Sequence, residues 1–253
     1  MSSTPAPLPP SPSLAARRIA VTGANRGLGR AIAAAAVAAG AEVIVHARDA
    51  ANAERTRVEL GARAAVAGDL TDPGLGARLA DTARALGGLD GIVLSAGVLG
   101  PKGRLGELDF DAFREVMAVN VEAQARMFAA CVPLLVAARG RVIWVSSGLG
   151  RFALPRYGAY CASKHALEGL AGLAHAEYID QGVLSFSVAP GMVQTKMLAA
   201  ALEEDDVSEY TLPEVAARGF VSLLGLDHEA ARELAGLPLD ITSAGEVVAV
   251  GGR

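Results

Sequence analysis

Short apolar runs alternate with helical segments along most of this 253-residue chain, and this alternation limits the fold more than any other feature. Short apolar runs bounded by polar or glycine residues predict the buried strands of a parallel sheet. They occur at residues 18–22, 42–46, 62–67, 91–94, 141–145, 183–188 and 246–250. Helical patterns at residues 30–39, 50–60, 73–86, 110–138, 157–180 and 213–224 separate them. We therefore expect an α/β fold with a doubly wound parallel sheet of seven strands.

Composition favours a soluble protein with no nucleic-acid partner. Apolar residues make up 52% of the chain, which is enough for a substantial core. The net charge of −4 and the scattered arginines argue against binding to nucleic acid. The sequence has no uninterrupted apolar run of about eighteen residues, so we expect no membrane contact.

The N-terminal segment is rich in proline and serine and has neither an apolar core nor an early basic cluster, unlike a targeting peptide. We expect residues 1–15 to form a disordered leader and residues 16–253 a single domain. Cys131 and Cys161 lie in apolar helical patterns, which favours reduced thiols in the cytoplasm. These cysteines and the four histidines lack zinc-binding spacing, so no metal site is predicted.

A glycine-rich turn follows the first predicted strand and opens the first helix. Gly23, Gly27 and Gly29 let the backbone approach a pyrophosphate, while the helix N-terminus directs its N–H groups at that anion. The spacing is GxxxGxG, and the lysine of a mononucleotide P-loop is missing. The position of the turn predicts a dinucleotide cofactor in a Rossmann fold.

The end of the second strand bears on the choice of cofactor, because this position contacts the adenosine ribose. Arg48, together with Arg26 in the turn, would bind a 2′-phosphate, so NADP(H) is the preferred prediction. A shift of one residue would instead place Asp49 against the ribose hydroxyls, so NAD(H) stays possible.

Tyr160 and Lys164 are four residues apart in the helical run 157–180 and should lie on the same face. A nearby ammonium favours the phenolate and lowers the pKa of a phenol, which is about 10 when free. We therefore expect Lys164 to lower the pKa of Tyr160 toward neutrality, where acid–base catalysis is effective. Tyr157 has Cys161 at the corresponding position and does not fit this pairing.

TGANRGLG, YCASK and the chain length together resemble the short-chain dehydrogenase/reductase family in its compact form of about 250 residues. The resemblance implies catalytic roles for Ser147, Tyr160, Lys164 and Asn120. The chain departs from the family where Leu94-Ser95-Ala96-Gly97 stands in place of the common Asn-Asn-Ala-Gly. With Arg48 added, the predicted cofactor-binding set is Gly23, Asn25, Arg26, Gly27, Leu28, Gly29, Arg48, Asp69, Leu70, Ser95, Ala96, Gly97, Tyr160, Lys164, Pro190, Gly191, Val193 and Thr195.

The resemblance implies hydride transfer between a nicotinamide and a carbonyl or secondary alcohol, in a homo-oligomer that is a tetramer or a dimer. We expect a ketone reductase for a fairly apolar, uncharged small molecule. Its predicted lining is Leu149, Phe152, Leu154, Tyr157, Met192 and Met197. The alternatives are an NAD-dependent alcohol dehydrogenase, a non-catalytic dinucleotide sensor, and a sugar-nucleotide epimerase or dehydratase. A sensor would not need the Tyr, Lys and Ser set, and the epimerase class usually has a larger C-terminal region.

Overall fold

The computed structural model describes residues 13–204 and 206–250, and within them the central sheet consists of eight strands. The strands are Arg18–Val21 (β1), Glu42–Ala47 (β2), Ala64–Ala67 (β3), Gly91–Leu94 (β4), Arg141–Val145 (β5), Leu184–Ala189 (β6), Pro238–Ile241 (β7) and Val247–Ala249 (β8). Their order is β3-β2-β1-β4-β5-β6-β7-β8; β1 to β7 are parallel and β8 is antiparallel to β7. The predicted doubly wound sheet in a single domain is confirmed, with eight strands instead of seven.

Helices cover both faces of the sheet. They are Gly27–Ala38 (α1), Ala50–Leu60 (α2), Leu75–Ala85 (α3), Phe110–Met117 (α4), Ala123–Ala138 (α5), Gly158–Tyr178 (α6), Lys196–Leu202 (α7), Pro213–Gly225 (α8) and His228–Leu234 (α9). Successive residues of a strand face opposite sides, so Ile143 packs in the core beneath α1 and α8. Trp144 packs in the second core, with residues of α3, α5 and α6. Burial on both faces thus explains why the central strands are mostly apolar.

The C-terminal part of the sheet differs from the sequence prediction. The predicted seventh strand, residues 246–250, corresponds to β8, which is an antiparallel edge strand. The true seventh strand is β7, which the sequence prediction missed. Its four residues begin with Pro238 and include Asp240, so they form no continuous apolar run. Proline is tolerated as the first residue of a strand because no ladder hydrogen bond is lost there.

The predicted helix 110–138 is divided. A π-helical segment, Ala118–Glu122, separates α4 from α5, and α5 continues through Pro133 to Ala138. Among the described helices, the run Phe110–Ala138 is long and apolar enough to cross a membrane by length and composition. In the fold, α5 packs against α3 and buries Met127 and Cys131 in the core. This is the behaviour of a core helix.

The folded domain begins earlier than predicted. Most of the predicted leader, residues 1–12, lies outside the described residues. Leu14 is fully buried, and its N–H donates to the carbonyl oxygen of Ala39 at 2.8 Å. The predicted boundary at residue 16 is therefore at least two residues late, because Leu14 belongs to the core beneath α1.

Candidate active site

The candidate site lies at the carboxyl ends of the parallel strands. The strand order reverses between β1 and β4, and ligands of doubly wound sheets bind in the crevice outside such a reversal. Ser147 is the second residue after β5, Tyr160 and Lys164 lie on the first turns of α6, and Asn120 lies in the π-helical segment. Two connections, from β4 to β5 and from β5 to β6, therefore bring the four predicted catalytic residues to this edge.

Tyr160 is partly buried, and its phenol interacts with the side chain of Ser147. Burial raises the pKa of Tyr160 to about 12, and the hydrogen bond with Ser147 offsets this only in part. The prediction that the pKa of Tyr160 is lowered toward neutrality is wrong for the structure described. Its physical reason is desolvation, which disfavours the phenolate more strongly than the neighbouring groups stabilise it. Tyr160 is consequently a protonated phenol at neutral pH.

Lys164 is buried beside Tyr160. Its Nζ lies 5.6 Å from the centroid of the Tyr160 ring and donates to the carbonyl oxygen of Val145 at 2.7 Å. Burial lowers the pKa of Lys164 to about 8, although the carboxylate of Glu168 one turn later acts in the opposite direction. The Glu168 carboxylate accepts from Ser146 Oγ at 2.6 Å and lies 3.2 Å from Arg151 Nε. The residue before Ser147 is thereby tied to α6.

Asn120 is buried and holds the loop that follows β4. Its Oδ1 accepts from the N–H of Val98, and its Nδ2 donates to the carbonyl oxygen of Val98, both at 2.8 Å. Nδ2 also lies 3.0 Å from Ser163 Oγ, on the residue before Lys164. Its position joins the loop after β4 to α6.

The glycine turn adopts the conformations that its composition requires. Gly23 and Gly27 have φ of 66° and 54°, in the left-handed region that favours glycine. An alanine Cβ at position 29 would lie 2.5 Å from the carbonyl oxygen of Gly23, so only glycine fits there. An alanine Cβ at position 27 would lie 3.3 Å from Thr195 Cγ2, and one at position 23 would lie 3.0 Å from Ala96 Cα. The loops after β4 and β6 therefore close around this turn.

His46 is a structural residue of the site that the sequence analysis did not single out. It is 2% exposed at the end of β2, and its Nδ1 accepts from the N–H of Gly23 at 3.2 Å. Its Nε2 lies 3.0 Å from the carbonyl oxygen of Gly68, just before Asp69. The only sequence signal was a polar residue within a buried strand, where unpartnered polar groups are costly.

The two arginines predicted to bind a 2′-phosphate are both exposed. Arg48 Nε lies 3.5 Å from Asp69 Oδ2, and the other oxygen of Asp69 accepts from the N–H and the hydroxyl of Thr71. Hydrogen bonds from Thr71 lower the pKa of Asp69. Asp49, the alternative ribose ligand, caps α2 by accepting from the N–H of Asn52 at 2.8 Å. Its carboxylate is therefore committed to the helix.

Beyond β6, the short helix α7 lies at the same edge of the sheet, and we call it the lid. Thr195 caps α7 by accepting from the N–H of Leu198 at 3.1 Å. At the other end, the Tyr157 hydroxyl donates to the carbonyl oxygen of Ala201, and Lys102 Nζ donates to the same oxygen at 2.8 Å. Lys102 also pairs with Glu203 at 2.7 Å and lies 5.3 Å from the centroid of the Tyr157 ring. We name Lys102, Tyr157, Ala201 and Glu203 the lid clasp.

The predicted substrate-lining residues lie on the segments after β5 and β6, at the same edge of the sheet. Four of them expose large apolar side chains, namely Phe152, Leu154, Met192 and Met197. Leu149 is partly buried, and Tyr157 is part of the lid clasp.

Comparison with known proteins decides the family. The family model described as short chain dehydrogenase matches residues 17–206, which include all four candidate catalytic residues. The chain belongs to the short-chain dehydrogenase family.

Other short-chain dehydrogenases share a substantial part of the sequence. The chain is 36% identical to the inactive 2-(S)-hydroxypropyl-CoM dehydrogenase 2 of Xanthobacter autotrophicus, over 73% of this chain and 79% of that protein. It is 38% identical to the 1-deoxy-11-beta-hydroxypentalenate dehydrogenase of Streptomyces exfoliatus, over 73% of this chain and 70% of that protein. A short chain dehydrogenase of Escherichia coli CFT073, solved with NADPH, is 30% identical with a TM-score of 0.83, over 92% of this chain and 99% of that chain. The resemblance seen in the sequence is thus confirmed, and the protein is an oxidoreductase of this short-chain dehydrogenase family.

Proposed function

We propose that this protein is an NADP(H)-dependent reductase that converts a fairly apolar, uncharged ketone into a secondary alcohol. One observation carries the proposal: Tyr160 lies beside Ser147 and Lys164 at the edge of the sheet that also holds the glycine turn, and burial raises its pKa to about 12. Reduction of a carbonyl needs a proton donor, and a phenol with a pKa of about 12 is a donor at neutral pH.

The residues around the crevice fit a dinucleotide. Gly23, Gly27 and Gly29 form a turn that a Cβ would fill, and α1 directs its N-terminal N–H groups toward it. We assign to cofactor binding these glycines, the loop residues Ser95, Ala96 and Gly97, and the segment Pro190 to Thr195. When bound, the nicotinamide supplies the hydride.

The protein's own groups handle the proton. Tyr160 would donate its proton to the substrate oxygen as negative charge develops there, while Ser147 donates a hydrogen bond to the same oxygen. The Lys164 ammonium would hold the nicotinamide ribose and stabilise the phenolate that remains. Asn120 would fix a water molecule through which Lys164 is reprotonated from solvent. Carbon gains the hydride and oxygen gains the proton, which balances the reduction.

The preference for NADP(H) rests on charge at the end of β2. Arg48 and Arg26 are exposed beside the turn, whereas the carboxylate of Asp49 is engaged in capping α2. The related dehydrogenase of Escherichia coli CFT073 was solved with NADPH. Hydrogen bonds to a charged group contribute about 1.5–3 kcal/mol, which is about 10- to 150-fold in affinity. Arg48→Gln should lower kcat/KM with NADPH by about this factor and leave kcat/KM with NADH unchanged. An equal effect on both cofactors would remove the basis for the NADP(H) assignment.

The proposed substrate class rests on the exposed apolar side chains at the site. Phe152, Leu154, Met192 and Met197 expose apolar surface above the site, and the acidic residues after α7 would repel anionic substrates. The chemistry favours a small molecule with a carbonyl among apolar groups. We further propose a cytoplasmic homo-oligomer, a tetramer or a dimer; the two buried free thiols support a reducing compartment.

The decisive experiment is the substitution Tyr160→Phe, assayed with a panel of ketones and alcohols and both nicotinamide cofactors. Turnover should fall by about 10²- to 10⁴-fold while cofactor affinity, measured by fluorescence titration, stays the same. Tyr178→Phe is the matched control, because Tyr178 packs edge-on against Phe128, away from the site, and should leave turnover intact. Ketone reduction at the parent rate by Tyr160→Phe would refute the mechanism.

A further inference from the structure

The imidazole of His46 joins the two loops that flank the end of β2. Its Nδ1 is 3.2 Å from the backbone nitrogen of Gly23, the first glycine of the turn. Its Nε2 is 3.0 Å from the carbonyl oxygen of Gly68, in the loop after β3 that carries Asp69. The backbone of the same residue contributes as well, since its carbonyl oxygen accepts from the N–H of Ala24 at 2.9 Å. The side chain therefore adds hydrogen bonds to the two loops that begin where the strand pairing of β2 ends.

These two contacts define the tautomer. A backbone N–H only donates, so Nδ1 must be the unprotonated acceptor toward Gly23. A carbonyl oxygen only accepts, so Nε2 must carry the proton that is donated to Gly68. Only the neutral imidazole with its proton on Nε2 satisfies both loops at once.

We propose that His46 is a positioning residue for the cofactor, whose neutral imidazole fixes the glycine turn relative to the loop of Asp69. This inference rests on the proposed function, because it assumes that the turn and this loop bind a dinucleotide. The carrying observation is geometric: one buried side chain spans two loops that belong to different strands. His46 contacts no reacting atom and acts only through Gly23 and Gly68.

Protonation of His46 would break this bridge. A second proton on Nδ1 would point at the N–H of Gly23, so the acceptor would be lost and two donors would face each other. Burial lowers the pKa of His46 below its ordinary value of 6.5, and the charge of Arg78 on α3 lowers it further. The hydrogen bond to Gly68 and the charge of Asp69 act in the opposite direction and raise it. The bridge is therefore complete above pH 6.5 and is lost as the pH falls toward the lowered pKa of the folded state. Cofactor affinity should fall over the same range.

The test replaces His46 by a side chain that has the same donor and acceptor but does not titrate. In His46→Gln the amide oxygen can accept from Gly23 and the amide nitrogen can donate to Gly68. The Kd for NADPH and for NADH would be measured by fluorescence from pH 8 to pH 5, for the parent and for His46→Gln. Any titration of the cofactor phosphate affects both proteins equally, so the difference between their pH profiles isolates His46. His228→Gln is the matched control, since His228 lies beside Arg139 at the opposite edge of the sheet.

We expect His46→Gln to bind within about threefold of the parent at pH 8 and to lose less affinity on acidification. His46→Leu leaves a donor and an acceptor unpaired, so its Kd should be about 10-fold or more higher at all pH values. Identical pH profiles for the parent and His46→Gln would overturn the proposal. So would an NMR measurement of the imidazole nitrogens in the free protein that places the proton of neutral His46 on Nδ1. If no dinucleotide binds at any pH, the proposed function fails, and the tautomer measurement still decides whether the bridge exists.

Discussion

Replacing Gly29 by alanine tests how closely α1 approaches the glycine turn. The new Cβ would lie 2.5 Å from the carbonyl oxygen of Gly23, 3.0 Å from its carbonyl carbon and 3.1 Å from Ser95 Oγ. The first two atoms belong to backbone, so the turn itself must move. Overpacking of this kind costs about 1–3 kcal/mol, and the better helix propensity of alanine returns at most about 1 kcal/mol.

The expected result is a free energy of unfolding lower by about 1–2 kcal/mol, measured by urea denaturation. The displaced turn should also raise the Kd for NADPH by about 10-fold or more, which corresponds to about 1.4 kcal/mol. Fluorescence titration measures this directly. The effect on binding should exceed the effect on kcat, because Tyr160 lies on another helix.

Gly172→Ala provides the control within the same chain. Gly172 lies in α6, and no described atom outside its local helix lies within 4 Å of the new Cβ. This substitution should raise the free energy of unfolding by about 0.5–1 kcal/mol and leave the Kd unchanged. If Gly29→Ala retains both parental stability and parental affinity, the close approach of helix and turn does not limit cofactor binding.

Three further predictions concern Lys164 and Arg141, which are buried, and Lys102, which belongs to the lid clasp. Burial lowers the pKa of Lys164 from 10.5 to about 8, so the unfolded chain binds more protons than the folded chain between these pH values. The free energy of unfolding of the parent, relative to that of Lys164→Met, should therefore rise by up to about 3 kcal/mol from pH 8 to pH 10.5. Urea denaturation across this pH range measures the change. Lys102→Met removes the contacts of Lys102 with Ala201 and Glu203 in the lid clasp. The KM for the substrate should therefore rise about two- to tenfold, while the Kd for NADPH stays unchanged. An unaltered KM would show that the lid clasp does not hold the lid. Arg141 is buried and donates to the carbonyl oxygens of Leu223 and Leu224 at the end of α8. Arg141→Met leaves these buried oxygens without their donor, so the free energy of unfolding should fall by about 1–3 kcal/mol, and an unchanged value would contradict this assignment.

The sequence was sufficient for the first six strands because each contains a mostly apolar run, and all of them except the edge strand β3 are buried along most of their length. It failed at β7, where four residues starting with Pro238 become a strand only because β6 offers a free edge. The π-helical segment was equally hidden, since its residues have ordinary helical patterning. Element boundaries and types thus depend on tertiary contacts where the local pattern is weak.

The candidate site was likewise predicted only in part from the sequence. The positions of Ser147, Tyr160 and Lys164 could be predicted because spacing along a helix and the end of a strand determine them. The pKa of Tyr160 could not, because it depends on how much solvent the folded chain removes from the phenol. His46 was missed for a related reason: its two partners come from loops that follow different strands.

The wide turn at Ala118–Glu122 holds one residue more than regular α-helical winding would. Its hydrogen bonds reach one residue further along the chain, so the extra residue is accommodated without rotating the helix on either side. Asn120 can therefore hold the loop of Val98 while α5 keeps Met127 and Cys131 in the core. Removing one residue from this turn should restore regular winding and keep α4 and α5 facing the same way, whereas removing one residue within α5 would turn its buried side by about 100°.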